Sequence, residues 1–173
     1  EAGWEIVAPS PIPYDDASAV PAELSRQDIG HLVDAFAASS RRSVEAGFRV
    51  VELHFAHGYL ACEFLSPLSN SREDEYGGTL DNRCRFPLDV VRAVRKAIPE
   101  AVPLIVRVSA TEYVSGGWDV DATVELARRL RDEGVDMIDC SSGGNSPHQD
   151  VEPYPEYQVP FASRIRKEAR MLT

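Results

Sequence analysis

Two imidazoles and a phenol stand close together in the run Leu53-His54-Phe55-Ala56-His57-Gly58-Tyr59. Two converging imidazole N–H groups can grip one carbonyl oxygen and stabilise the negative charge that develops on it. A nearby tyrosine hydroxyl can deliver a proton to carbon. Two other readings stay open on these residues alone. A His pair is a common metal ligand set, and Glu52 or Glu63 would complete it. Structural histidines and a core tyrosine would also satisfy the pattern.

The elements that must position these side chains follow from the flanking sequence. Phe48 to Phe55 contains the apolar run Val50-Val51-Glu52-Leu53 and reads as a short buried strand. In an extended strand residues 54 and 57 face opposite sides, so the chain must turn after about Phe55 for the two rings to meet. Ala56 and Gly58 leave room for that turn. Before the strand, Ser25 and Asp28 form a capping-box pattern. Ile29, Leu32, Val33, Phe36, Ala37, Ser40 and Val44 follow at helical spacing, and Gly47 suits the helix end.

The same grammar repeats downstream. Thr79 or Asp81 caps a helix with Leu88, Val91, Val94 and Ile98, and Leu104 to Val108 is the next strand. Asp119 caps a helix carrying Val120, Val124, Ala127 and Leu130 that closes at Gly134. Val135 to Cys140 is a third strand, and Phe161 to Ala169 the next helix. Repeated βα units with apolar strands imply a parallel sheet covered by helices. Part of a barrel is favoured over an open doubly wound sheet, because no G-x-G-x-x-G follows any strand. Three strands cannot close a barrel, so the piece should present two unpaired edges and one apolar face. Residues 1–24 read as a proline-rich loop and 25–173 as successive α/β units of one domain. The connection from His54 to Thr79 far exceeds the usual βα loop. Loops at this end of parallel strands carry chemistry in barrels.

Composition narrows the partners. Lys and Arg total 18 against 28 Asp and Glu, a net charge of −10. That balance repels phosphate backbones and anionic lipid, which argues against nucleic-acid and membrane-surface roles. No leader pattern is found, and no apolar run approaches the roughly 20 residues that span a bilayer. Cys62, Cys84 and Cys140 are odd in number and widely spaced, which fits buried thiols in a reducing cytoplasm.

A longer pattern surrounds the His pair. His54-x-x-His57-Gly58-Tyr59-Leu60 is followed by Glu63-Phe64-Leu65-Ser66-Pro67, Asn70, Arg72, Asp74, Tyr76-Gly77-Gly78, Asn82-Arg83 and Arg85-Phe86. Arg107-Val108-Ser109-Ala110, Gly116-Gly117-Trp118 and Asp139-Cys140-Ser141-Ser142-Gly143-Gly144 extend it, as do Ala8-Pro9-Ser10 and Tyr157-Gln158-Val159-Pro160-Phe161-Ala162. Taken together the chain resembles the Old Yellow Enzyme family of flavin oxidoreductases. A His at the second position of the pair, in place of Asn, is similar to the bacterial branch. Phe55, Thr79 and Asp81 depart from the family pattern.

The resemblance implies a (β/α)8 TIM barrel with non-covalent FMN above the strand ends, of which this chain would hold about strands four to six. It implies reduction of activated C=C bonds, in enones and nitroalkenes, with NAD(P)H as reductant. By that resemblance His54 and His57 bind the substrate oxygen, Tyr59 donates the proton, and Arg107 lies against the flavin. Arg72, Asp74, Tyr76, Arg83 and Arg85 would pin the long loop, Glu112 and Trp118 would pack at the rim, and His31 and His148 would be solvated. The expected partners are a small activated alkene and further copies of the protein. Two alternatives accompany this expectation: a non-catalytic half-barrel that needs a partner, and a metal-dependent barrel hydrolase. The piece alone is expected to be inactive.

Overall fold

The structure, a computed structural model, describes residues 5–173. Residues 1–4 of the expected leading loop lie outside the described residues. Within that loop, β1 (Val7–Ala8) and β2 (Ala22–Glu23) pair in parallel. Strands of two residues have no sequence period, so only the folded neighbourhood reveals them.

Helix α1 (Arg26–Glu45) starts as its capping box dictates: the Ser25 hydroxyl accepts from the Asp28 N–H, and Asp28 bonds back to the Ser25 N–H. Past its end Gly47 sits at φ +98°, a conformation that costs glycine little. The chain then enters β3 (Val51–Phe55), three residues later than expected, leaving Phe48 and Val50 exposed. The long connection that follows holds an unanticipated short helix, α2 (Leu60–Leu65), which buries Ala61, Cys62, Phe64 and Leu65. Thr79 caps α3 (Leu80–Arg83) through the Asn82 N–H, while Asp81 instead pairs with Arg129 at 2.7 Å. Helix α4 (Arg85–Ala97) turns Phe86, Val90, Val91 and Val94 inward, and the Phe86 ring lies 4.4 Å from that of Phe64.

Strand β4 (Leu104–Ser109), helix α5 (Val120–Asp132) capped by Asp119, strand β5 (Met137–Ser141) and helix α6 (Val159–Glu168) complete the order. Helix α6 begins two residues before the expected Phe161, with Pro160 in its first turn. After it the chain returns beside β5, where Ile138 N–H donates to the Leu172 carbonyl at 2.9 Å.

The sheet is parallel, in the order β3-β4-β5. Leu53, Val106 and Ile138 are in register and all but inaccessible, at 3%, 0% and 1% exposure, on the face covered by helices. Burying a side chain of this size contributes about 1.5–3 kcal/mol. A charge at Val106 would therefore break the sheet–helix contact. The opposite face corrects the expectation of an apolar surface. Glu52, Ile105 and Met137 form one row, His54, Arg107 and Asp139 the next, and Ser109 with Ser141 the row at the C-terminal end. Side chains layered this way across parallel strands are the interior arrangement of a βα barrel, and here they are mostly polar.

Candidate active site

The polar rows lead straight to the His-bearing turn. His54, still within β3, is in register with Arg107, and Arg107 with Asp139. Arg107 pairs with the Asp139 carboxylate at 3.4 Å. Its Nε is the one buried side-chain nitrogen or oxygen without a hydrogen-bond partner among the described residues. A buried, unmet N–H on a guanidinium fits a ligand bearing acceptor atoms at this end of the sheet.

Beyond Phe55 the chain turns as the His spacing requires. The Tyr59 N–H donates to the Ala56 carbonyl at 3.2 Å, and His57 takes φ +60°, a left-handed value uncommon outside glycine. The turn brings the His54 and His57 rings to 5.2 Å between centroids, and the Tyr59 ring to 5.2 Å from His54. Tyr59 precedes α2 and is 65% exposed, while His57 is half-buried. Burial, and then the neighbouring His54 and Arg107, push the His57 pKa below its usual value, which favours the neutral imidazole.

What holds the left-handed His57 lies far away in sequence. Ser109 Oγ accepts the His57 backbone N–H at 2.9 Å and donates to the Gly143 carbonyl at 2.7 Å. Ser141 Oγ is 2.6 Å from His57 Nε2. The loop after β5 closes from above. A Cβ on Gly144 would stand 2.5 Å from His57 Cα, and one on Gly58 2.4 Å from the Gly144 carbonyl oxygen.

Glu112 is not rim packing. At 1% exposure its carboxylate accepts from Ser66 Oγ at 2.7 Å, the Trp118 N–H at 2.5 Å and Asn145 Nδ2 at 2.7 Å. It thereby joins the loops after α2, β4 and β5. Trp118 is buried as expected, with its indole N–H on Thr123 Oγ1. The charged block pins the long loop as its residue types suggested. Arg72 pairs with Asp74 at 2.7 Å and donates to the Pro9 and Leu24 carbonyls, holding Asp74 at a pKa of about 2. Arg83 donates to the Leu65 carbonyl and Arg85 to that of Glu75.

His31 and His148 are exposed. Cys62 and Cys84 are buried and Cys140 half-buried, and burial raises each thiol to about 11. Glu63 lines a cavity together with Ile12, Tyr14 and His148, and burial lifts its carboxyl to about 7. Neither Glu52 nor Glu63 completes a metal set: among the described residues no three His, Cys, Asp or Glu side chains gather to hold an ion. No described helix is long and apolar enough to cross a membrane.

Parallel βα units with a polar strand-end cluster define part of a (β/α)8 barrel whose chemistry sits at the C-terminal end of the strands. Residues 6–170 match the family described as NADH:flavin oxidoreductase / NADH oxidase, and the chain belongs to that family. It is 47% identical over 173 residues to an NADPH dehydrogenase of Geobacillus sp. (strain WCH70), covering all of this chain and 50% of that one. With an NADPH dehydrogenase of Bacillus subtilis (strain 168) the identity is 46% over 169 residues, 98% of this chain and 49% of the relative. The chain thus spans about half the length of these curated relatives.

Among solved structures, an Old Yellow Enzyme homologue from Zymomonas mobilis superposes with a TM-score of 0.77 at 27% identity, covering 95% of this chain and 48% of that one. A 2-naphthoyl-CoA reductase superposes with a TM-score of 0.86 at 26% identity, over 94% of this chain and 26% of the other. The flavin of this family is FMN, and the unpaired Arg107 Nε suits it. Family membership leaves the hydrolase alternative without support.

Proposed function

We propose that within the full-length protein these residues form the substrate-binding and proton-donating part of an FMN site that reduces activated C=C bonds with NAD(P)H. The observation that carries this reading is the convergence of His54, His57 and Tyr59, with ring centroids 5.2 Å apart, in the same strand-end cluster as Arg107. The name of the relatives, NADPH dehydrogenase, and the family's description as NADH:flavin oxidoreductase support NAD(P)H as reductant.

FMN, when bound, supplies a hydride for the β-carbon of the alkene. His54 and His57 donate N–H to the carbonyl or nitro oxygen, where charge accumulates as that bond forms. Tyr59 gives its hydroxyl proton to the α-carbon, which completes addition of one hydride and one proton across the double bond. Arg107 would hold the flavin and offset negative charge on it with its guanidinium.

A phenol titration of the flavin spectrum tests the reading in the full-length protein, since a phenolate oxygen mimics the charged substrate oxygen. A hydrogen bond to a charged group contributes roughly 1.5–3 kcal/mol. Replacing both His54 and His57 by Ala should therefore weaken phenol binding at least tenfold. Unchanged binding in the double variant refutes the assignment.

A further inference from the structure

A neutral imidazole has one N–H and one lone pair, and the partner of one nitrogen decides which role the other can play. His57 Nε2 has Ser141 Oγ at 2.6 Å, and Nδ1 has no hydrogen-bond partner among the described residues. Nδ1 is not fully buried, so a ligand can reach it. The direction of the Ser141 bond is therefore decisive. If Nε2 donates to the hydroxyl, Nδ1 offers only a lone pair and repels a substrate oxygen. If the hydroxyl donates to Nε2, Nδ1 carries the N–H.

The surroundings of Ser141 bear on the direction. Its side chain is 5% exposed, so its hydroxyl hydrogen needs a protein acceptor. Besides His57, the Oγ has one side-chain neighbour at hydrogen-bond distance among the described residues, Gln158 Nε2 at 3.5 Å, and that nitrogen is a donor. The same Gln158 nitrogen faces Ser142 Oγ at 2.9 Å and Tyr157 Oη at 3.1 Å. With Gln158 presenting Nε2, His57 Nε2 is the side-chain acceptor within reach of the Ser141 hydrogen among the described residues.

We infer that Ser141, at the end of β5, is a positioning residue that locks His57 in the Nδ1–H tautomer and so makes it a donor to the substrate oxygen. The inference rests on the oxygen-binding role proposed above for His57. Ser109 fixes the backbone of the same residue, so two serines from neighbouring strand ends set its position and its proton. The step is one of proton placement only: no bond to carbon is made or broken by Ser141.

The test uses the full-length flavoprotein with histidine labelled with 15N, read by long-range 1H–15N NMR near neutral pH. In the wild type His57 should show a protonated Nδ1 and an unprotonated Nε2. Ser141→Ala should shift His57 to the Nε2–H form or to a mixture and weaken phenol binding roughly tenfold, the worth of one charge-assisted hydrogen bond. Ser141→Thr keeps a hydroxyl and should restore both readouts. A protonated Nε2 in the wild type, or an unmoved tautomer in Ser141→Ala, overturns the inference. Unchanged phenol affinity in His57→Ala, with the tautomer responding to Ser141→Ala, overturns the oxygen-binding role and leaves the tautomer assignment standing.

Discussion

Replacing Glu112 by Gln should destabilise the full-length protein far more than a residue at a loop rim would. The carboxylate is 1% exposed and satisfies three donors, on Ser66, Trp118 and Asn145, with two oxygens. Gln keeps a single acceptor oxygen and turns an amide N–H₂ toward a donor it cannot bond. Losing one charged acceptor costs about 1.5–3 kcal/mol, and the misfacing donor adds to that. Glu112→Ala removes every acceptor and should cost at least twice as much, a large part of a net stability of about 5–15 kcal/mol. Urea unfolding followed by tryptophan fluorescence reads both variants, and Trp118 is a local reporter because its backbone N–H is one of the donors to Glu112. A rim position would change stability by no more than about 0.5 kcal/mol. A Glu112→Gln midpoint shift that small refutes the hub.

Two further outcomes are expected. Gly144→Ala combines φ +94° with a Cβ 2.5 Å from His57 Cα, so it should lower the melting temperature and impair phenol binding, with FMN content as the control. Unimpaired phenol affinity would contradict the contact. Glu63 has a folded pKa of about 7, raised by burial above the ordinary 4.5. The folded state thus holds the proton more tightly, and stability declines as pH rises from about 4.5 through about 7. Glu63→Gln should flatten that decline in a pH series of thermal melts; an unchanged slope would show that the carboxyl is solvated.

Local signals made much of the fold readable. The Ser25–Asp28 capping box, the apolar spacing of α1 and α4, and Asp119 before α5 are short-range patterns that the backbone obeys directly. The turn after Phe55 was legible for a related reason, since strand geometry forbids two residues three apart from sharing a face. Unread features are those whose partners are remote. Ser141 lies 84 positions from His57, and Glu112 lies 46 from Ser66 and 33 from Asn145. Period-two spacing from Arg107 to Ser109 and from Asp139 to Ser141 could have placed both serines on the site face. Helix α2 is too short to show a period, and β1 and β2 exist through each other. The run of aliphatic residues in the strands suggested that the face left open by the helices would be apolar too, yet Glu52, His54, Arg107 and Asp139 interrupt the run on that side.

The meshing of Gly58 and Gly144 backbones around His57 also limits how such proteins can be recombined. The segment that bears the His pair and the segment that bears Gly143-Gly144 are separated by a whole βα unit. A chimera that takes residues 51–65 from one relative and the loop after β5 from another joins surfaces shaped for different partners. A few tenths of an ångström of mismatch there would have no side chain to absorb it, because both sides are main chain. Crossover points that keep these two loops from one parent should give folded, ligand-binding hybrids, whereas a junction within β4 should yield proteins that hold flavin but present His57 wrongly.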